Sequence, residues 1–112
     1  MSKKSIIQLS EFDITQKIIE SLSNVCTRSV LFSVKNESKD VTQIADELKI
    51  SLSTVYKTLS TLEDLALAEI DRYVISPEGK KIKLYRSRIG KVEITLDDLE
   101  PTLMLHPNDS KN

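Results

Sequence analysis

The sequence predicts an α+β domain that is mainly α-helical, with four helices followed by a β-hairpin and a short C-terminal strand or helix. Two observations lead to this fold class. Between residues 52 and 66, apolar side chains recur with the spacing of one helix face. They are Leu52, Val55, Leu59, Leu62 and Ala66. Two strand-like segments then flank Ser76-Pro77-Glu78-Gly79, whose residue types favour a type I β-turn.

The first two helices are predicted at residues 11–22 and 25–35. Ser10, with Asp13 three residues later, resembles a capping box at the start of the first helix, and Asn24 can cap the second. Residues 1–9 are expected to form an N-terminal arm. The side chains expected in the core are Phe12, Ile18, Ile19, Leu22, Val25, Cys26, Ser29, Val30 and Phe32, with Leu31 as a further candidate.

The third and fourth helices are predicted at residues 42–48 and 52–65, with a tight turn between them. Ala45 is small enough to let two helices cross at a steep angle, and Ile50 is expected to fill the turn. Ser51 is a good N-cap for the fourth helix. The buried side chains of the third helix are expected to be Ile44, Ala45 and Leu48.

Strands are predicted at residues 67–75 and 81–88, on either side of the turn. Apolar and polar residues alternate again from Val92 to Leu96, which indicates a third short strand. The next residues, which include Leu103, Met104 and Leu105, are expected to form a final turn or short helix. Residues 106–112 are expected to form a tail.

Composition limits the class of protein. A chain of 112 residues supports one domain with one modest core. No apolar run approaches the roughly 18 residues of a membrane span, and Met1 to Ile7 lack the apolar core of a secretory signal. One cysteine cannot form an internal disulfide framework. The sequence therefore predicts a soluble, cytoplasmic protein.

The net charge of −1 gives no support to nucleic-acid binding, but the distribution of charge does. Residues 76–91 hold six Lys or Arg against the single acid Glu78, a local charge of +5. Phosphates respond to the local field, so this segment favours contact with nucleic acid. A lysine-rich, solvated hairpin that protects a sheet edge explains the same pattern, and the two interpretations remain open.

The polar side of the helix at 52–65 is the candidate DNA-recognition surface. Short hydrogen-bonding side chains near the start of a helix let its backbone approach base edges, and Lys57 can donate to guanine or to phosphate. Tyr56 is placed to reach a backbone phosphate. The alternative is an ordinary solvated helix face. The candidate residues on this helix are Ser51, Ser53, Thr54, Tyr56, Lys57 and Ser60.

The hairpin supplies the second candidate surface, made of Lys80, Lys81 and Lys83 near its tip. Strand alternation predicts that Lys81 and Lys83 share a face with Tyr85. Arg86 and Arg88 are expected on the other face, with Ile82 and Leu84. Lysines at the tip would add salt-sensitive affinity that does not depend on sequence.

Residues 22–28 and 41–68 resemble the winged helix-turn-helix of the ArsR-type transcription regulators. Leu22-Ser23-Asn24 to Arg28 is similar to the family's Leu-Ser-Asp-Pro-Thr-Arg element, and Ser51, Ser53, Thr54 and Val55 match its Ser-x-Ser-Thr-Val core. MarR-like winged helices share the pattern. The resemblance covers about residues 10–90 and implies a homodimer on pseudopalindromic double-stranded DNA. By this resemblance, Ser53, Thr54, Tyr56 and Lys57 occupy DNA-reading positions.

The predicted domain boundaries agree with this resemblance. Residues 10–91 are expected to form the DNA-binding domain, and residues 92–105 a C-terminal extension that is a candidate dimerisation segment. Metal-sensing members carry Cys-x-Cys entering the third helix, where this chain has Asp40 and Thr42. The family's alternative C-terminal metal site needs several histidines, and His106 is the only histidine in this sequence. The sequence therefore predicts no metal and no cofactor. Cys26 is expected to be a core residue, with a redox role as the alternative.

Two functions remain open. The first is a sequence-specific DNA-binding transcription regulator acting as a homodimer, with the helix at 52–65 in the major groove and the hairpin at 76–83 on the phosphates. The second is a winged-helix module that binds protein within a transcription or chromosome-associated complex. An enzyme is not expected, because the sequence holds no nucleophile–base pair and no glycine-rich phosphate loop.

Overall fold

A computed structural model describes residues 14–109 of the chain. Within them lie helix α1 (residues 14–23), helix α2 (Val25–Ser33), helix α3 (Val41–Leu48) and helix α4 (Leu52–Asp64). Strands β1 (Ala68–Ile75), β2 (Lys81–Ser87), β3 (Ile89–Thr95) and β4 (Thr102–Pro107) follow. The predicted N-terminal arm and the Ser10–Asp13 capping box lie outside the described residues.

Side-chain caps fix where three helices begin. The Asn24 side chain accepts a hydrogen bond from the Thr27 N–H, and the Ser51 hydroxyl accepts one from the Thr54 N–H. Both N-caps confirm the sequence prediction. Asp40 begins α3 with a complete capping box, in which its side chain and that of Gln43 each accept from the other's backbone N–H.

The core lies between the four helices and the roots of the strands. Its buried members are Ile18, Leu22, Val30, Leu31, Val34, Ile44, Ala45, Val55, Leu59, Leu62, Leu67, Ala68, Tyr85 and Ile89. The prediction that Val25 is buried was wrong, because α2 turns Val30, Leu31 and Val34 inward and leaves Val25 67% exposed. Leu52 and Ala66, at the two ends of the α4 stripe, are exposed as well.

Strands β1 and β2 form an antiparallel hairpin, here named the wing, with a register from Ala68↔Ser87 to Ile75↔Lys81. The predicted turn is confirmed, since the Gly79 N–H donates to the Ser76 carbonyl oxygen at 2.9 Å. Gly79 has a φ of +83°, a backbone conformation that residues other than glycine rarely adopt.

Strands β3 and β4 form a second antiparallel hairpin, here named the C-terminal hairpin. Strand β3 confirms the predicted third strand. The expected turn or short helix near Leu103–Leu105 was wrong, because these residues belong to β4 and pair with β3. The tail expected from His106 is also not what the structure shows, since His106 and Pro107 complete β4.

The two hairpins extend in opposite directions from a shared root. Only Arg88 separates β2 from β3, and the two strands end to end would span about 50 Å at the rise of extended chain. The molecule measures 58 × 26 × 25 Å. The long axis therefore indicates that the wing tip and the tip of the C-terminal hairpin lie at opposite ends. Across residues 14–109, no helix has the length and apolar character needed to cross a membrane.

Candidate nucleic-acid interface

The turn between α3 and α4 sets the position of the candidate recognition helix. Lys49 adopts the left-handed conformation, with a φ of 58°, and the Ile50 N–H donates to the Ala45 carbonyl oxygen at 3.1 Å. The Lys49 N–H donates to the same carbonyl oxygen, and these two bonds together with the left-handed residue reverse the chain over three positions. Ala45 is buried where α3 packs against α4, as its small size predicted.

Helix α4 has one buried side and one exposed side. Val55, Leu59 and Leu62 are at most 1% exposed and pack into the core. The opposite side presents the predicted candidates Ser53, Tyr56, Lys57 and Ser60 to solvent, and Thr54 lies half-buried between the two sides. The buried stripe thus fixes the rotation of α4 and turns hydrogen-bonding side chains outward as one surface.

Ser51 differs from the other candidates, because its hydroxyl is used within the helix cap. It accepts from the Thr54 N–H at 3.1 Å and lies 2.8 Å from the Thr54 hydroxyl and 3.2 Å from the Ser53 hydroxyl. Ser51 therefore orders the first turn of α4 together with Ser53 and Thr54, and the candidate groups outside this cap are those of Tyr56, Lys57 and Ser60.

The wing brings its lysines together on an exposed surface. Lys80, Lys81 and Lys83 are all exposed, and the Lys81 Nζ lies 4.3 Å from the centre of the Tyr73 ring. Lys83 is directly opposite Tyr73 in the register, so these residues share one face, as alternation predicted. The ring holds a cation in place beside the turn by a cation–π contact.

Arg86 and Arg88 do not join these lysines. Arg86 is opposite Glu69 in the register and is only partly exposed. The Arg88 guanidinium lies 3.9 Å from the Glu69 carboxylate and donates to the Ala66 carbonyl oxygen. The exposed lysines of the wing therefore lie in its outer half, at Lys80, Lys81 and Lys83.

The wing is fastened to the connector between α2 and α3. The buried Ser38 hydroxyl donates to the Asp71 carboxylate at 2.6 Å, next to a β-bulge between Ile70 and Arg72. Lys39 and Tyr85 exchange two backbone hydrogen bonds, at 3.2 and 2.8 Å. Sequence reasoning missed Ser38 and Asp71, because no local pattern links residues 33 positions apart.

Tyr85 sits at the centre of this junction. Burial raises the pKa of its phenol, and the Glu63 carboxylate raises it further. The side chain is 5% exposed and belongs to the core cluster. The shared face of Lys81, Lys83 and Tyr85 therefore runs from the solvated tip into the core, so the orientation of the wing lysines follows from the packing of Tyr85.

The positions of the family's metal ligands have other roles here. Asp40 caps α3 and accepts a hydrogen bond from the Thr42 hydroxyl. His106 lies 2.8 Å from the Glu93 carboxylate within the C-terminal hairpin, and Cys26 is a partly buried free thiol. In the part of the chain that the structure describes, no three His, Cys, Asp or Glu side chains are grouped so that they could hold a metal ion.

Similarity to known proteins is found in the same part of the chain. The sequence model of the bacterial regulatory protein ArsR family matches residues 28–69, from α2 through α4 into β1. An uncharacterised HTH-type transcriptional regulator of Methanocaldococcus jannaschii is 33% identical over 66 residues, which cover 59% of this chain and 70% of that protein. ArsR-family regulators are DNA-binding proteins and not enzymes, in agreement with the prediction from the sequence. The chain belongs to the ArsR family of winged helix-turn-helix transcription regulators.

Proposed function

We propose that this regulator binds double-stranded DNA sequence-specifically as a homodimer, with α4 in the major groove and the wing at residues 76–83 on the phosphate backbone. The observation that carries the proposal is the exposed polar side of α4. Because Val55, Leu59 and Leu62 on the other side of α4 are buried in the core, this polar side must face solvent. Short side chains on that side let the helix backbone approach the bases.

The roles on α4 follow from position along the helix. Ser53 lies in the first turn and Lys57 one turn later on the same side, so both can contact successive base pairs. Ser60 extends this row by a further turn. Tyr56, 54% exposed at the edge of the polar side, is placed to donate its hydroxyl to a phosphate.

The wing supplies affinity rather than sequence preference. Three exposed lysines lie close together on a hairpin that is fastened to the helices through Ser38 and Asp71. Each lysine that neutralises a phosphate releases a condensed counterion, which makes binding fall steeply with salt. An otherwise acidic chain therefore carries a local excess of positive charge on the wing.

Single alanine variants test the two roles. We expect Lys57→Ala to reduce binding to a preferred duplex by about 1–3 kcal/mol and to change the preference at one or two positions. Lys81→Ala should weaken binding to all duplexes alike and lower the salt dependence by about one phosphate contact. Lys17→Ala, an exposed lysine on α1, is the matched control and should change neither. Fluorescence anisotropy across a salt series measures both quantities.

A second candidate function has its own observation. Tyr73, Val74 and Ile75 on the wing are 47%, 38% and 68% exposed, which provides an apolar surface for a protein partner. Under the DNA-binding proposal, Ile75→Ser leaves duplex affinity within about threefold. Wild-type protein that binds no duplex even at low salt would contradict the DNA-binding proposal and favour this alternative.

A further inference from the structure

The wing carries a β-bulge near its root, where its first strand has one residue more than its second. Ile70 is opposite Tyr85 and Arg72 is opposite Leu84, so Asp71 is the additional residue of the bulge. A bulge bends its strand and re-aims the side chains that follow it. The direction in which the outer half of the wing points therefore depends on how Asp71 is held.

Two donors hold the Asp71 carboxylate on the same oxygen atom. The Ser38 hydroxyl donates to Oδ2 at 2.6 Å, and the Arg72 guanidinium donates to it at 2.7 Å. Ser38 is 6% exposed. A hydrogen bond to an ionised group is stronger than one between neutral groups. The bulge is therefore fixed by a strong hydrogen bond from a buried residue of the connector between α2 and α3.

The connector holds both strands of the wing. The Lys39 backbone exchanges two hydrogen bonds with Tyr85 of β2, and the Ser38 side chain contacts Asp71 of β1. Tyr85 is itself buried in the core. Because the two attachments lie on different strands, together they restrain rotation of the hairpin about its own axis and bending at the bulge.

The length of the wing amplifies any change in the bend. About five residues of extended chain, roughly 16 Å, separate the bulge from the turn. A change of about 10° at the bulge would therefore move the lysines at the tip by about 3 Å. A hydrogen bond from an ammonium group to a phosphate oxygen spans about 2.8 Å, so a displacement of this size breaks it.

We infer that Ser38 and Asp71 are positioning residues for DNA binding. Their hydrogen bond sets the bend of the wing and thereby places its lysines on the phosphates while α4 lies in the major groove. The inference rests on the proposed function and adds two residues to it. It also gives Asp71 a role opposite to that of its charge, because an acid on the wing repels phosphate.

The sign of one substitution separates the position of the wing from its charge. Asp71→Ala removes a negative charge, which by itself would tighten duplex binding. We expect instead that binding is about tenfold weaker and that the salt slope falls by about one, because the lysines lose their places. Glu78→Ala is the matched control. It removes an exposed acid of the turn and should bind about twofold more tightly than wild type.

A double-mutant cycle tests whether Ser38 acts through the lysines. By fluorescence anisotropy at low salt, we expect Ser38→Ala to weaken duplex binding about tenfold in the wild-type background. In a chain that already carries Lys80→Ala, Lys81→Ala and Lys83→Ala, the same change should cost less than about twofold. Ser29→Ala, which removes a hydroxyl that donates within α2, should change binding in neither background. Circular dichroism verifies that each variant is folded at the temperature of the measurement.

The outcomes separate this inference from the proposed function. Wild-type protein that binds no duplex, even at low salt, overturns both. If folded Asp71→Ala binds as tightly as Glu78→Ala, the wing is not positioned by this hydrogen bond and the proposed function stands. An equal loss for Ser38→Ala in both backgrounds, or no loss in either, overturns the inference in the same way.

Discussion

The wing and the C-terminal hairpin are built alike and present different surfaces. Each is a two-stranded antiparallel hairpin with a register shift near its root, and the two meet at Arg88. The outer half of the wing carries Lys80, Lys81 and Lys83, whereas the other hairpin has an acidic tip and an apolar face. The same local structure thus presents positive charge on one hairpin, and apolar and acidic side chains on the other.

Single side-chain hydrogen bonds fasten both hairpins to the connector between α2 and α3. Ser38, in the connector after α2, donates to Asp71 of the wing. Asn108, just after β4, donates to the carbonyl oxygens of Lys35 and Ser87, each at 2.8 Å. Because these hydrogen bonds hold each hairpin at its root, the outer half of each hairpin can stay exposed to solvent.

The largest effect is expected from removal of the wing charge. Lys80, Lys81 and Lys83 changed together to Ala should lower the slope of log K against log salt by about three and weaken duplex binding roughly 100-fold at low salt. As a control on the other hairpin, Lys91→Ala should leave the slope unchanged. An equal loss of slope in both proteins would remove the functional difference between the hairpins.

The root anchors should give the next largest effect. Asn108→Ala removes two hydrogen bonds to carbonyl oxygens and should lower the free energy of unfolding by about 1–3 kcal/mol. Ser38→Ala should cost about 1–2 kcal/mol, because a buried donor to a carboxylate is lost. Urea denaturation measures both, with the exposed Ser60→Ala as the control. Anchor variants as stable as wild type would contradict the account.

The contact between Lys81 and Tyr73 should contribute less. Tyr73→Leu removes a ring that lies 4.3 Å from the Lys81 Nζ and should lower stability by about 0.5–1 kcal/mol. Tyr73→Phe keeps the ring and should resemble wild type. The salt slope of DNA binding should not change in either variant, since the lysine charge remains. A reduced slope in Tyr73→Phe would show that loss of the hydroxyl moves a wing lysine away from its phosphate.

The smallest effect is a pH dependence confined to the C-terminal hairpin. The hydrogen bond with His106, and then Lys91, lowers the pKa of Glu93 below its usual value. Because the folded pKa is the lower one, this stabilisation is present above the pKa of an unfolded glutamate and is lost as pH falls through the folded pKa. NMR titration should show that His106→Ala raises the pKa of Glu93. An unchanged pKa would mean that the pair does not form in solution.

Local patterns predicted most of this structure and missed its long-range contacts. The caps at Asn24 and Ser51, the turn at Ser76–Gly79 and the buried stripe of α4 are each determined by neighbouring residues. Strand β4 was missed because Leu103, Met104 and Leu105 also suit a short helix, and only pairing with β3 decides between the two.

For the candidate nucleic-acid interface too, local patterns predicted which side chains are exposed but not the long-range contacts. Exposure of Ser53, Tyr56 and Lys57 follows from helix periodicity, and the shared face of Lys81 and Lys83 follows from strand alternation. The contact between Ser38 and Asp71 joins residues that are distant in sequence, so no periodicity could indicate it. The orientation of the wing relative to the helices therefore needed the structure.

Selection of bound duplexes from a random pool tests the central claim most directly, because it reports on α4 and on the second copy together. We predict an enriched inverted repeat whose half-sites are one helical turn of DNA, about 10–10.5 base pairs, or a multiple of it, apart. Lys57→Ala should alter the sequence within each half-site. A wild-type pool with no enriched sequence at any salt concentration would contradict the account.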